Sequence, residues 1–216
     1  MDMKSSFIYS YDIAEDKEII KQYFQILSKK HPEKFEIEEE LDDDGENIVP
    51  ENMKDSSDEN KWMLLESNVS EEDILKLEEI INVKLPSLYK AFISTYFHMF
   101  EELDGVLDDF HCEDGKEVYV DILSQPSNTP LKIIENVYKG CEELIEFGYI
   151  PIGEFNGWGP LCFDTYNNFK LVWLDHEEFY SCETREELEE LGETIFDNFK
   201  EFLECFFAGV THKCKV

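Results

Sequence analysis

Apolar positions recur along the chain at two spacings, and the switches between them mark out its elements. Phe7, Tyr9, Tyr11 and Ile13 alternate with polar residues as a half-buried strand does. Ile19, Ile20, Tyr23, Phe24 and Leu27 then share one helical face, and His31-Pro32 ends it. Phe35, Ile37 and Leu41, interleaved with Glu36, Glu38 and Glu40, predict a second strand with an acidic outer face. Residues 31–60 carry thirteen acids against two lysines, together with Gly45, Pro50, Ser56 and Ser57, and read as a solvated linker or long loop. A boundary near residue 60 therefore separates an N-terminal extension, 1–60, from the main domain, 61–216. Sixty residues bury too little surface alone, so the extension is expected to dock on the main domain.

The main domain is patterned more strongly. Ser70, with Asp73 three residues on, makes a capping box for a helix whose Ile74, Leu77, Ile80 and Ile81 share a face. Leu85-Pro86 opens a second helix, with Tyr89, Phe92, Ile93, Tyr96, Phe97 and Phe100 as its buried stripe. Val118, Val120 and Ile122 mark a strand, and the apolar positions from Leu131 to Ile145 fit another helix. Three strand-like runs come next, Tyr149 to Gly153, Pro160 to Tyr166 and Lys170 to Asp175. Their connectors, Glu154 to Gly159 and Asn167-Asn168, hold the Gly and Asn of tight antiparallel hairpins. A closing helix, capped by Thr194 and Asp197, carries Ile195, Phe199, Phe202, Leu203, Phe206 and Phe207 on one stripe. Helices at both ends of an antiparallel meander give an α+β domain.

Charge changes the picture. The 216 residues hold 51 acids and 19 bases, a formal net charge of −32, and Arg185 is the one arginine. Such a chain repels phosphate and lacks the bidentate forks that grip it, which argues against direct nucleic-acid binding and against an anionic membrane surface. A basic protein partner is the natural complement. No run reaches the ~18 to 20 apolar residues of a membrane span, and the start has neither a basic n-region nor a long h-region. Six cysteines without a CxxC pair read as reduced thiols. The expectation is a cytoplasmic protein.

Several places admit a sharper chemical reading beside a bland structural one. Glu40, Asp42, Asp44, Gly45 and Glu51 fall at calcium-loop positions, but Pro50 precedes the last ligand and no strong helix flanks the loop, so a solvated acidic loop is the better reading. His111-Cys112 and His212-Cys214 are too close in sequence to assemble a four-ligand zinc site, and no metal or other cofactor is expected. Cys162, Asp164, Asp175 and His176 bring thiol, acids and imidazole into one neighbourhood, without an oxyanion loop or elbow motif. Gly153, Gly157 and Gly159 match no phosphate-binding spacing and read as turn glycines around Trp158, either a packed lid or an exposed interface anchor.

Four segments in order resemble the SUKH superfamily. They are Val69 to Glu78 followed by Val83 to Ile93, with its leucine-proline and the tyrosine and phenylalanine beyond; Tyr149-Ile150-Pro151-Ile152-Gly153-Glu154 with Gly157; Leu161 to Asp164 with Val172 to Glu177; and Ile195 to Leu203. They cover roughly residues 62–210. Two departures stand out: the second helix runs on through Phe97-His98-Met99-Phe100, and Gly157-Trp158-Gly159 replaces the usual glycine–aspartate pair. The resemblance implies a twisted, mostly antiparallel sheet with flanking helices and a non-catalytic role. Its bacterial members are often immunity proteins that neutralise a cognate polymorphic toxin, and its fungal members are regulatory scaffolds of cell-wall synthesis. With the acidic charge, it points to a cytosolic immunity protein that occludes a basic, nuclease-like toxin domain. The alternative is a scaffold that binds several partners. Turn placement and charge nominate Glu154, Asn156, Trp158, Asp164, Asp175, Glu177 and Glu178 as partner-binding residues.

Overall fold

The computed structural model describes residues 13–37, 48–111, 113 and 115–214. It opens with α1 (Ile13–Lys30), two 3-10 turns (Pro32–Phe35 and Glu51–Met53) and a short β1 (Leu65–Glu66). α2 (Glu71–Ile81), α3 (Ser87–Thr95) and β2 (Tyr96–Phe97) lead into β3 (Glu102–Asp108) and β4 (Lys116–Ile122). α4 (Lys132–Gly140) and α5 (Glu142–Glu146) precede the meander of β5 (Tyr149–Phe155), β6 (Pro160–Asp164) and β7 (Lys170–Trp173). α6 (Arg185–Leu191), β8 (Glu193–Phe196), α7 (Phe199–Phe206) and β9 (His212–Lys213) complete the order. This is the expected α+β architecture. No helix among the described residues is long and apolar enough to cross a membrane.

Seven strands form one sheet in the order β8-β7-β6-β5-β4-β3-β9, antiparallel throughout except where β9 joins β3. The sheet curls until its outer edges meet. The rings of Phe196 on β8 and His212 on β9 lie 4.7 Å apart, and His111 Nε2 reaches Glu193 Oε1 at 3.1 Å. The concave side holds the main core, with Leu103, Val120, Ile150, Phe163 and Leu171 facing Phe199, Phe202 and Phe206 of α7. Gly105 lets α7 approach, since a Cβ there would sit 2.8 Å from both Cys205 Sγ and a Phe206 ring carbon. On the convex side, α5 and α6 cover β6 and β7 through a second cluster of Leu144, Tyr149, Cys162, Val172, Leu174 and Leu188. Strands buried on both faces read as unbroken apolar runs, as Leu161-Cys162-Phe163 and Leu171-Val172-Trp173-Leu174 do. β3 and β4 alternate instead, so their convex face is polar.

The capping box is as expected, with Asp73 N–H donating to Ser70 Oγ at 3.2 Å and Ser70 N–H to Asp73 Oδ2 at 3.1 Å. Glu78 is buried, accepts from Leu85 N–H at 2.9 Å and pairs with Lys84 at 2.6 Å, which fixes the α2–α3 turn ahead of Pro86. Other boundaries move. α3 stops at Thr95 rather than running to Phe100, because Ser94 and Thr95 hydroxyls bond back to Lys90 and Ala91 carbonyls and Tyr96-Phe97 pair with β1. The helix expected over 131–145 breaks at Cys141, giving α4 and α5. Ile195 lies in β8, and α7 is capped by Asn198, whose Oδ1 accepts from Lys200 and Glu201 N–H.

The division near residue 60 does not separate two cores. Phe24 of α1 is ringed by Phe92, Tyr96, Phe100 and Phe207, and Lys17 Nζ donates to Ser94 O at 2.8 Å. Of the expected second strand, the described part is a 3-10 turn ending at Phe35 and a bridge from Glu36 to Lys61. Phe7, Tyr9, Tyr11, Leu41 and the acidic loop around Asp42 and Asp44 lie outside the described residues.

One feature of the core is costly. His98 and Gln125 exchange backbone hydrogen bonds of 3.0 and 2.8 Å, while their buried side-chain polar atoms find no partner among the described residues. The imidazole sits among Phe24, Phe92 and Phe100, and burial lowers it from 6.5 to about 3. Unfolding lets it protonate, so this stability is complete above the unfolded value and is lost as pH falls from there toward 3. By pH 5 the loss is about 2 kcal/mol. Urea midpoints at pH 7 and 5 should show it, and His98→Leu should remove most of that difference. An equal acid sensitivity in the variant would contradict the assignment.

Candidate partner interface

The strand ends near the β5–β6 hairpin gather most of the nominated residues. Asn156 (φ 53°) and Gly157 (φ 64°) take the left-handed conformations that a tight hairpin needs. Asn156 is buried, its N–H donating to Tyr119 O at 3.0 Å and its Oδ1 accepting from Tyr119 N–H at 2.8 Å. It therefore locks the turn onto β4 rather than facing a partner. Trp158 is lifted at the tip, 41% exposed, with its ring 6.1 Å from that of Trp173. Behind it, Gly159 (φ 142°) lies so close to β7 that a Cβ would be 2.1 Å from Leu174 O. Gly159→Ala should cost about 2 kcal/mol, read as a lower urea midpoint. An unchanged midpoint would mean the hairpin is not pinned there.

Beside Trp158, an open recess is lined by Trp173, His111, Asp175, Glu178, Glu190 and Glu193. Asp175 Oδ1 accepts from Glu177 N–H at 2.8 Å, ordering the turn that carries both glutamates outward. Glu177 and Glu178 are exposed. α6, which brings Glu190, is started by a capping box in which Glu187 N–H donates to Thr184 Oγ1 and the Glu187 carboxylate accepts in return.

Asp164 is elsewhere in function. It is 2% exposed, and its carboxylate is held by Arg185 Nη2 at 2.6 Å, Tyr166 N–H at 3.0 Å and Asn167 Nδ2 at 2.7 Å. Arg185 also lies 4.2 Å over the Tyr149 ring and donates to Phe147 O. Asp164 thus ties α6 to the β6–β7 turn. The neighbouring Cys162 is fully buried, and burial pushes its thiol well above the ordinary range, which disfavours a nucleophilic thiolate. His176 is exposed beyond the end of β7, its N–H donating to Trp158 O at 2.7 Å.

A second acidic surface is not apparent from the sequence. Strand register places Glu102 opposite Asp121 and Asp121 opposite Glu154, a row of three carboxylates across β3, β4 and β5. Asp104 and Glu117 stand on the same convex face, with Tyr119 between them. Lys34 is the basic side chain that reaches this face, at 2.9 Å from Asp104 and 3.9 Å from Glu102. Partial burial, then repulsion from Glu102 and Glu154, raise the Asp121 carboxyl above its ordinary value. Like charges directly opposite one another destabilise a sheet. Next to the row lies a hollow of mixed lining, with Trp62, Met99 and Phe100 among charged residues that include Lys34, Glu36, Glu102 and Asp121. Of the nominated residues, Glu154 belongs to the row. The turn glycine Gly157 lies against the Tyr119 hydroxyl where the row's face meets the hairpin.

Half of this row is legible in the sequence. Glu117, Tyr119 and Asp121 alternate with Val118, Val120 and Ile122, so their outward direction comes from period 2. Which strands stand on either side is a long-range fact. Among the described residues no group of three or more His, Cys, Asp and Glu is arranged to hold a metal ion. No curated protein matches the chain. A model of the SMI1 / KNR4 family (SUKH-1) matches residues 68–205, from just before the α2 cap into the last turn of α7. That span is more than half of the molecule and contains all of β3 to β8, so the chain belongs to the SMI1 / KNR4 family (SUKH-1).

Proposed function

We propose that this protein is a cytoplasmic immunity protein that binds a basic domain of a cognate toxin and blocks it by stoichiometric occlusion. The observation that carries the reading is the Glu102–Asp121–Glu154 row, an arrangement that weakens the sheet bearing it, is met by Lys34 at one end, and complements a cationic surface. Membership of a family that includes immunity proteins and cell-wall regulators supports a binding role. The long-range field of a chain at −32 raises the encounter rate with a basic domain by roughly 10- to 1,000-fold at low salt. Close affinity then comes from desolvated contacts, Trp158 at the hairpin tip and the hollow over Trp62 and Phe100, inside an acidic rim. Occlusion asks for no chemical step from the chain.

The test is co-expression. The C-terminal domain encoded by the neighbouring gene is expressed in a naive cell with and without this protein. Toxicity that disappears on co-expression, with a 1:1 complex on gel filtration, is the expected result. Toxicity that persists, or several weak partners in place of one tight one, would overturn immunity in favour of a scaffold.

A further inference from the structure

The recess beside the hairpin is lined by a residue that carries a donor without an acceptor. Trp173 is 5% exposed and its indole Nε1–H has no hydrogen-bond partner among the described residues. A buried donor left unpaired costs about 1–3 kcal/mol. The same residue lines a hollow whose walls carry Asp175, Glu178, Glu187, Glu190 and Glu193. Glu178 and Glu190 make no side-chain ion pair or hydrogen bond among the described residues, whereas Glu193 is engaged by His111 at 3.1 Å.

These two features select the occupant by chemistry. An anion would meet five carboxylates. A bare metal cation accepts no hydrogen bond and would leave the indole N–H unpaired. A peptide satisfies both, because its backbone carbonyl is a neutral acceptor and an adjacent lysine or arginine supplies the cation. We infer that the Trp173 recess is a subsite for an extended basic segment of the partner protein: one of its backbone carbonyls accepts from Trp173 Nε1–H, and the neighbouring cationic side chain enters between Glu178 and Glu190. The Nε1 atom is covered in the free protein, so an incoming carbonyl displaces a rim side chain. The side chain that the inference moves is His111, an exposed lining residue whose ring lies 6.0 Å from that of Trp173. The inference rests on the reading of this chain as a binder of a basic protein and names where that protein's chain is gripped.

The experiment tracks the three indole N–H resonances of the full chain labelled with 15N-tryptophan, with Trp173 assigned by its loss in Trp173→Phe. The probe is a blocked peptide, acetyl-Ala-Arg-Ala-Arg-Ala-amide, and the comparison is spermine, a cation without a carbonyl. The peptide should move the Trp173 resonance downfield in a saturable way, and spermine should leave it in place. Glu178→Gln with Glu190→Gln, both surface changes that leave the core intact, should weaken the peptide by about 3- to 10-fold. An unmoved Trp173 resonance, an equal response to spermine, or undiminished peptide binding in the double variant would overturn the subsite. A toxin domain that binds the double variant as tightly as the parent protein would remove the subsite and leave immunity standing. Peptide capture at Trp173 by a protein that rescues no toxin would do the reverse.

Discussion

Arg185→Met should destabilise the fold by about 3–5 kcal/mol, a fall in Tm of about 6–20 °C for a chain of this size. The cause is the charge left behind. Asp164 is 3% exposed at its side chain and Arg185 15%, so removing the guanidinium strands a carboxylate in a low-dielectric site. The variant also loses the stacking on Tyr149 and Tyr166 and the bond to Phe147 O, which together hold α6 against the β6–β7 turn. Asp164→Asn in the same background should recover ~2 kcal/mol or more, because Asn is uncharged yet can still accept from Tyr166 N–H. Thermal and urea unfolding of the single and double variants measure this directly. A single-variant loss below ~1 kcal/mol would mean the pair is solvated and α6 is held by Leu188 alone.

The second large effect separates stability from function. Neutralising the row with Glu102→Gln, Asp121→Asn and Glu154→Gln should make the protein more stable by about 0.5–1 kcal/mol, since it removes two directly opposed like-charge pairs. The direction is set by Asp121. Its carboxyl is raised in the folded state, so its contribution is unfavourable at neutral pH and is relieved as pH falls through that raised value. The parent protein should therefore gain on the neutral variant as carboxylates protonate, while the acid sensitivity from His98 is common to both and cancels in the difference. The same triple variant should associate with the toxin domain ~10- to 100-fold more slowly at low salt. A variant that is less stable, with unchanged binding, would mean the row is structural.

How far the sequence alone reaches depends on whether each feature is local. The β5–β7 meander is legible because both faces of β6 and β7 are buried, which leaves unbroken apolar runs between Gly- and Asn-bearing turns. Both halves of the α2 cap are legible because Ser70 and Asp73 are three residues apart. β3 is hidden for a physical reason: its central inward position is Gly105, kept bare so that α7 can approach, so the alternation Leu103-Gly105-Leu107 loses its middle signal. The stripe from Tyr89 to Phe100 suits a helix and a strand equally, and only pairing with Leu65-Glu66 decides that Tyr96-Phe97 is extended. β8 hides for the same reason inside a stretch that reads as the start of α7.

The candidate site divides along the same line. The sequence places Trp158 at a hairpin tip, because Asn and Gly mark the turn locally, and leaves packed lid and exposed anchor open; in the fold the ring is 41% exposed. Asp164 reads as a rim acid, but Arg185, 21 residues further on, draws it inward, and that contact is invisible to spacing. The Glu102–Asp121–Glu154 row needs two strand registers to appear, and the Trp173 recess needs the curl that brings His111 to Glu193. Composition gives the chain's own charge, −32, without giving the face on which the proposed partner would dock.

The most direct test of that face is the association rate constant of the toxin domain with the parent protein and with the triple variant, by stopped flow from ~50 to ~500 mM salt. Steering by the acidic row requires a parent rate that falls steeply with salt, a variant that starts about ten- to a hundredfold lower with a flatter slope, and dissociation rates that change less than either. A parent rate independent of salt, or a variant indistinguishable from the parent, would contradict it.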